Sequence, residues 1–198
     1  MKRISLIAAL LGVIGLAFAG VATAGGNTGS TPCNGQSFGA VVIPNNLNVP
    51  AGATCTLAGT EVVGNISVGA GATLHTIGFT ADQNVNVNGG FLVDNNYGFH
   101  IKGNLTIDGS QGDPYSANNG FWSNYTQSNI DGNFTYTNNL GWFYAEGGTT
   151  PPWLGGDPSS PANPRWSEGA TVKGNFTYSG NGRPYTGGLN VLGHSNVS

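Results

Sequence analysis

Asn46-Leu47-Asn48-Val49 alternates polar and apolar residues, and the chain repeats it. The phrase returns as Asn65-Ile66-Ser67-Val68, Asn84-Val85-Asn86-Val87, Asn104-Leu105-Thr106-Ile107, Asn133-Phe134-Thr135-Tyr136 and Asn175-Phe176-Thr177-Tyr178, and closes as Asn196-Val197-Ser198. Successive asparagines are 19, 19, 20, 29, 42 and 21 residues apart. One and three places after the asparagine the residues are aliphatic or aromatic; the one between is Asn, Ser or Thr. Such alternation, rich in β-branched and aromatic residues, marks a strand with one dry and one wet face. Strands recurring about every 19 residues in the same sense run parallel to one another, and stacking buries what a single turn cannot. The expected fold is all-β: a single-domain right-handed parallel β-helix, a solenoid of about seven turns with 19–21 residues per regular turn. The hand follows from the crossover preference of parallel strands.

The neighbouring positions form columns of their own. Three places before the asparagine stand Ile43, Val62, Ala81, Ile101, Ile130, Val172 and Gly193, a second apolar column. Immediately before it stand Gly64, Gly103, Gly132 and Gly174, which permit a tight corner. Asn46, Asn65, Asn84, Asn104, Asn133, Asn175 and Asn196 are expected to form a buried ladder of amides bonded along the stack. Two places before the asparagine, Asp82, Lys102, Asp131 and Lys173 alternate in sign, and His194 ends the column. Their expected role is to disfavour a shifted register; a catalytic role would place Asp82 and Asp131 as acid and base about Lys102. The longer intervals imply two long loop insertions, near 109–124 and 146–167. Alternatively, the longest interval hides a degenerate extra turn around Asn138 to Tyr144.

Composition bounds the rest. A chain of 198 residues with 38% apolar content has enough for one core. With only six Lys and Arg and a net charge of −3, it cannot present the basic stripe that nucleic acid requires. Residues 1–24 have the layout of a bacterial-type signal peptide: Lys2 and Arg3, an apolar run from Ile4 to Ala19, then Ala22-Thr23-Ala24. Residues 25–42 then form an N-terminal lead-in and cap, and 43–198 the solenoid. The protein is expected to be secreted to the cell exterior or surface, or to the periplasm. In that oxidising setting Cys33 and Cys55 should form a disulfide, stabilising by roughly 3 kcal/mol.

Gly103-Asn104-Leu105-Thr106-Ile107-Asp108-Gly109, with the period and the leader, resembles the right-handed parallel β-helix repeats of secreted filamentous-haemagglutinin-like and autotransporter adhesins, and more broadly the pectin-lyase-like superfamily. The resemblance implies a non-enzymatic surface or extracellular-matrix element with an adhesive role. Its alternative is a polysaccharide lyase or glycoside hydrolase of the same fold. Enzymes of that superfamily gather acidic residues and a basic one on a single face. The only close carboxylate pair here is Asp108 and Asp113, a weak calcium candidate without EF-hand spacing. His75, His100 and His194 have no metal-ligand spacing, no nucleophile motif stands out, and no cofactor is expected.

The aromatics carry the binding expectation. Trp122, Tyr125, Trp142 and Tyr144 lie after the regular turns, and flat rings beside Asn and Asp suit stacking on sugar faces. The competing role is to anchor their own loops. The expected partner is a polysaccharide or cell-surface glycan, with end-to-end self-association through an open last turn as a further expectation. Thr106, Thr135 and Thr177, in one column, raise a third reading, an ice-binding repeat face.

Overall fold

The computed structural model describes residues 29–94, 98–111, 121–123, 128–140, 143–145, 170–182 and 189–198. Each repeated phrase lies in one eight-stranded parallel sheet. In stacking order its strands are β1 (Ser30–Pro32), β4 (Asn46–Val49), β6 (Ile66–Val68), β8 (Val85–Asn88), β11 (Leu105–Asp108), β14 (Phe134–Thr137), β17 (Phe176–Ser179) and β19 (Ser195–Val197). The return half of each coil supplies the second sheet, also parallel. Its strands are β2 (Ser37–Phe38), β3 (Val42–Ile43), β5 (Thr54–Val62), β7 (Thr73–Ala81), β9 (Phe91–Asp94), β10 (Phe99–Ile101), β12 (Phe121–Ser123), β13 (Asn129–Ile130), β15 (Phe143–Ala145), β16 (Thr171–Val172) and β18 (Asn190–Val191). The chain is an all-β solenoid of about six full turns, with no helix among the described residues.

The boundaries differ from the expectation at both ends and in the middle. The lead-in is itself a short coil: β1 pairs with β4, and β2 and β3 pair with β5. Cys33 and Cys55 staple it to the next coil, fully buried with Cα atoms 5.5 Å apart. Residues 121–123, expected in a loop, are a strand that sits on β9. The strand Phe143–Ala145 sits in turn on β12, and β14 pairs directly with β17, so Phe143–Ala145 belongs to the return half of its own coil rather than to an extra turn. The insertion near 146–167 lies outside the described residues.

The core follows from the alternation. Leu47, Ile66, Val85, Leu105, Phe134 and Phe176 form one buried column, and Val49, Val68, Val87, Ile107, Tyr136 and Tyr178 another. From the second sheet Ile43, Val62, Ala81, Ile101, Ile130 and Val172 close against them. Fully burying a side chain of this size contributes about 1.5–3 kcal/mol, so the columns are the main source of stability. Parallel, in-register pairing sets like on like: Phe134 and Phe176 have ring centroids 5.4 Å apart, and Tyr136 and Tyr178 stack at 5.5 Å with planes 5° apart. Burial pushes the Tyr136 phenol well above its ordinary pKa.

Six coils leave the first sheet through a left-handed residue: Gly52, Gly71, Gly89, Gly109, Asn138 and Gly180 all have φ between +56° and +70°. Asn138 is the one non-glycine among them, and asparagine tolerates that region best. The next position carries an amide ladder that the repeat phrase does not reveal. Asn139, buried, donates from Nδ2 to the Ile107 carbonyl (3.1 Å) and accepts at Oδ1 from the Ser110 amide (2.7 Å). Asn181 accepts at Oδ1 from the Asn139 amide (2.9 Å) and donates to the Tyr136 carbonyl (3.0 Å).

The expected ladder stands at the opposite corner. Asn46 Oδ1 accepts from the amide of Asn65 (2.8 Å), Asn65 from Asn84 (3.2 Å), Asn84 from Asn104 (2.9 Å), Asn104 from Asn133 (2.8 Å) and Asn133 from Asn175 (2.9 Å). The strand begins one residue later, so no backbone carbonyl of the neighbouring coil meets that amide; the side-chain oxygen does instead. Two expectations are corrected here. The ladder is at the surface, with Asn46, Asn104, Asn133 and Asn175 exposed and Asn65 and Asn84 half-buried. Asn196 is not its seventh member: it pairs with Thr177, and the amide of His194 takes the place, 3.0 Å from Asn175 Oδ1. The last coil keeps the 19-residue step, which puts Gly193 against Gly174, Leu192 beyond Lys173, and Val191 rather than Gly193 opposite Val172.

Candidate functional site

The outer face of the first sheet is polar and nearly uncharged. Asn48, Ser67, Asn86, Thr106, Thr135, Thr177 and Asn196 form one column, and Asn88, Asp108, Thr137 and Ser179 the next. The column beside the threonines is thus mixed, without the second threonine row an ice-binding face needs. Asp108 is its only carboxylate, and one oxygen, Oδ1, accepts from both Thr137 Oγ1 (2.7 Å) and Asn138 Nδ2 (2.8 Å). It clamps the next coil; its proposed calcium partner Asp113 lies outside the described residues. Among those residues no three of His, Cys, Asp and Glu gather as a metal site.

The second sheet carries the charges. Lys102 Nζ lies 2.7 Å from Asp82 Oδ1, and Lys173 Nζ lies 2.7 Å from Asp131 Oδ1. The alternating column therefore resolves into two ion pairs, each joining adjacent coils. His100 Nε2 is 2.9 Å from Asp131 Oδ2, so both oxygens of that carboxylate face a partner. The Lys173 hydrogen bond, then that of His100, lowers the Asp131 pKa despite partial burial. The Asp82 hydrogen bond raises that of Lys102.

The same sheet brings two of the expected glycan-contact residues together. Trp122 pairs with Tyr144 on the neighbouring strand, and on its other side with Val93, which pairs with His75. The column therefore reads Thr56, His75, Val93, Trp122, Tyr144 along five successive coils. Phe121 and Phe143 form the adjacent column and continue that of Cys55, Leu74 and Leu92. His75 is half-buried, and loss of water lowers its pKa, which favours its neutral form. Tyr125 and Trp142, the other two expected contacts, lie outside the described residues.

Beside this column, β5 and β7 bend at Gly59 (φ +67°) and Gly78 (φ +69°), and Gly98 (φ +68°) takes the same place in the next coil. A furrow of about 440 Å³ opens over the three glycines, bordered by Glu61, Thr80, His100 and Asn129. Nothing in the sequence marks it, because Ala58-Gly59 or Ile77-Gly78 within a strand differs little from the glycines elsewhere. Compared with family models, curated proteins and solved structures, the chain matches none.

Proposed function

We propose that this protein is a secreted, non-enzymatic β-solenoid that serves as a structural and adhesive element at the cell surface or in the extracellular matrix, touching glycans through the aromatic column of its second sheet. The observation that carries the reading is the in-register pairing of Trp122 with Tyr144 on adjacent parallel strands. Aromatic residues in register on adjacent strands are the residue type and spacing on which successive sugar rings can stack. The buried Cys33–Cys55 bridge is compatible with an oxidising compartment, in keeping with export. A polysaccharide lyase or glycoside hydrolase would need carboxylates free to act on substrate. Asp82, Asp108 and Asp131 are instead engaged by Lys102, by Thr137 and Asn138, and by Lys173 and His100, and Glu61 lines the furrow without a second carboxylate in that lining.

The test is a glycan array probed with the mature chain and with Trp122→Ala and Tyr144→Ala variants. Each substitution should weaken the retained glycans by about tenfold. Unchanged binding in both variants, or sugar release from a polysaccharide incubated with the protein, would overturn the proposal.

A further inference from the structure

The furrow over the bend glycines is a second surface of the same sheet, and it has a chemistry of its own. The ladder between β5 and β7 pairs Ala58 with Ile77 and Thr60 with Phe79, passing over Gly59 and Gly78. Where the side chains vanish, the surface dips, and the dip continues along the stacking direction to Gly98. Phe79 and Phe99, with ring centroids 5.7 Å apart, lie beneath it. Along one side Glu61, Thr80, His100 and Asn129 are consecutive members of a single column. They therefore recur once per coil, at the strand spacing of about 4.8 Å.

Glu61 is the one carboxylate that lines the furrow, and its charge reaches Lys102 without contact. Glu61 makes no ion pair within 4 Å among the described residues, while Lys102 and Lys173 are held by Asp82 and Asp131. No basic side chain lines the furrow except His100, whose Nε2 is directed at Asp131. A trough floored by glycine backbone over the buried Phe79 and Phe99, with a row of hydroxyl, amide, imidazole and carboxylate groups at its side, suits a chain of hydroxyl donors and acceptors. An unpaired carboxylate at the rim repels a chain that carries carboxylates of its own.

We infer that the furrow binds a linear, uncharged glycan laid along the solenoid axis, with Glu61 accepting from its hydroxyls and excluding acidic chains. This inference rests on the glycan-binding reading above and names the chemical class and a second contact surface. Titration calorimetry of the full mature chain with neutral hexose oligomers and with uronic-acid oligomers of equal length tests it. Neutral oligomers should bind at least about tenfold more tightly. Glu61→Gln and the near-isosteric Thr80→Val, both at outward positions that leave the core intact, should each weaken neutral binding, Glu61→Gln by roughly tenfold. Glu61→Gln should also narrow the gap between neutral and acidic oligomers.

Equal or tighter binding of the acidic oligomers to the native chain would overturn the inference, as would native affinity in both variants. If Trp122→Ala weakens binding while Glu61→Gln and Thr80→Val do not, the furrow is excluded and the aromatic column stands. The opposite pattern excludes the aromatic column and supports the furrow. Binding of neither oligomer overturns both.

Discussion

At the corner that leads into the first sheet, Asn104 Oδ1 accepts from the Asn133 amide at 2.8 Å, and the Asn133 side chain donates to the same oxygen at 3.3 Å. Asn104→Ala leaves that amide without its acceptor. The site is exposed and water can substitute, so the cost should be about 1 kcal/mol. Gly132 beside it is constrained differently: a Cβ there would lie 2.5 Å from Asn104 Oδ1 and 2.6 Å from the Gly103 carbonyl oxygen. Backbone cannot step aside as a flexible side chain can, so Gly132→Ala should cost more, about 2–3 kcal/mol. Denaturant midpoints for the two variants check the order; an equal or reversed ranking would refute the close-approach account. Six ladder members were legible because one letter recurs in one place. Asn196 was misread because the letter was followed where the 19-residue step should have been. The ladder of Ser110, Asn139 and Asn181 escaped notice because its members differ in type and only three coils show it.

Among the elements, the first coil is built of short strands, of three, two and two residues. Its hold on the stack depends on the Cys33–Cys55 bridge, which closes a 22-residue separation. Replacing both cysteines by Ala should remove about 3 kcal/mol and speed amide exchange first in β1, β2 and β3. Unaltered exchange there would show that the coil is held by packing alone. The tie between β13 and β16 is electrostatic at its edge and responds to pH. The Asp131 pKa is lowered in the folded chain, from an ordinary value of 3.8, so its contribution is complete above that value and is lost as pH falls through the folded one. Asp131→Asn should therefore cost at most about 1 kcal/mol at neutral pH and progressively less in acid. Urea midpoints of both proteins across that range test the sign: a gap that widens in acid contradicts it. The pairing of acid with base was readable from alternating letters. The strand Phe121–Ser123 was not, because three residues are too few to show a period of two.

At the largest scale the stack is quasi-one-dimensional: among the described residues the register pairs join each coil to its immediate neighbours and to no other coil. The period of the repeat made this architecture legible, whereas the furrow comes from three glycines whose shared place in the stack no single turn reveals. In such an array stability is a sum of coil terms and neighbour terms, so a local injury should spread along the stack and fade with distance. Phe134 is fully buried, packs against the tilted ring of Phe176 and sits at the join between aliphatic coils and aromatic ones. Phe134→Ala should cost about 3–5 kcal/mol at its own coil, by lost transfer energy and by the cavity left. In native-state hydrogen exchange, protection should fall sharply in β14, β17 and β19, which depend on that coil to reach the rest. It should fall much less in β4 and β6, which lie three or more coils away. If all amides lost protection equally, the chain would unfold as a single cooperative body, and the nearest-neighbour description, with the separate surfaces built on it, would have to be given up.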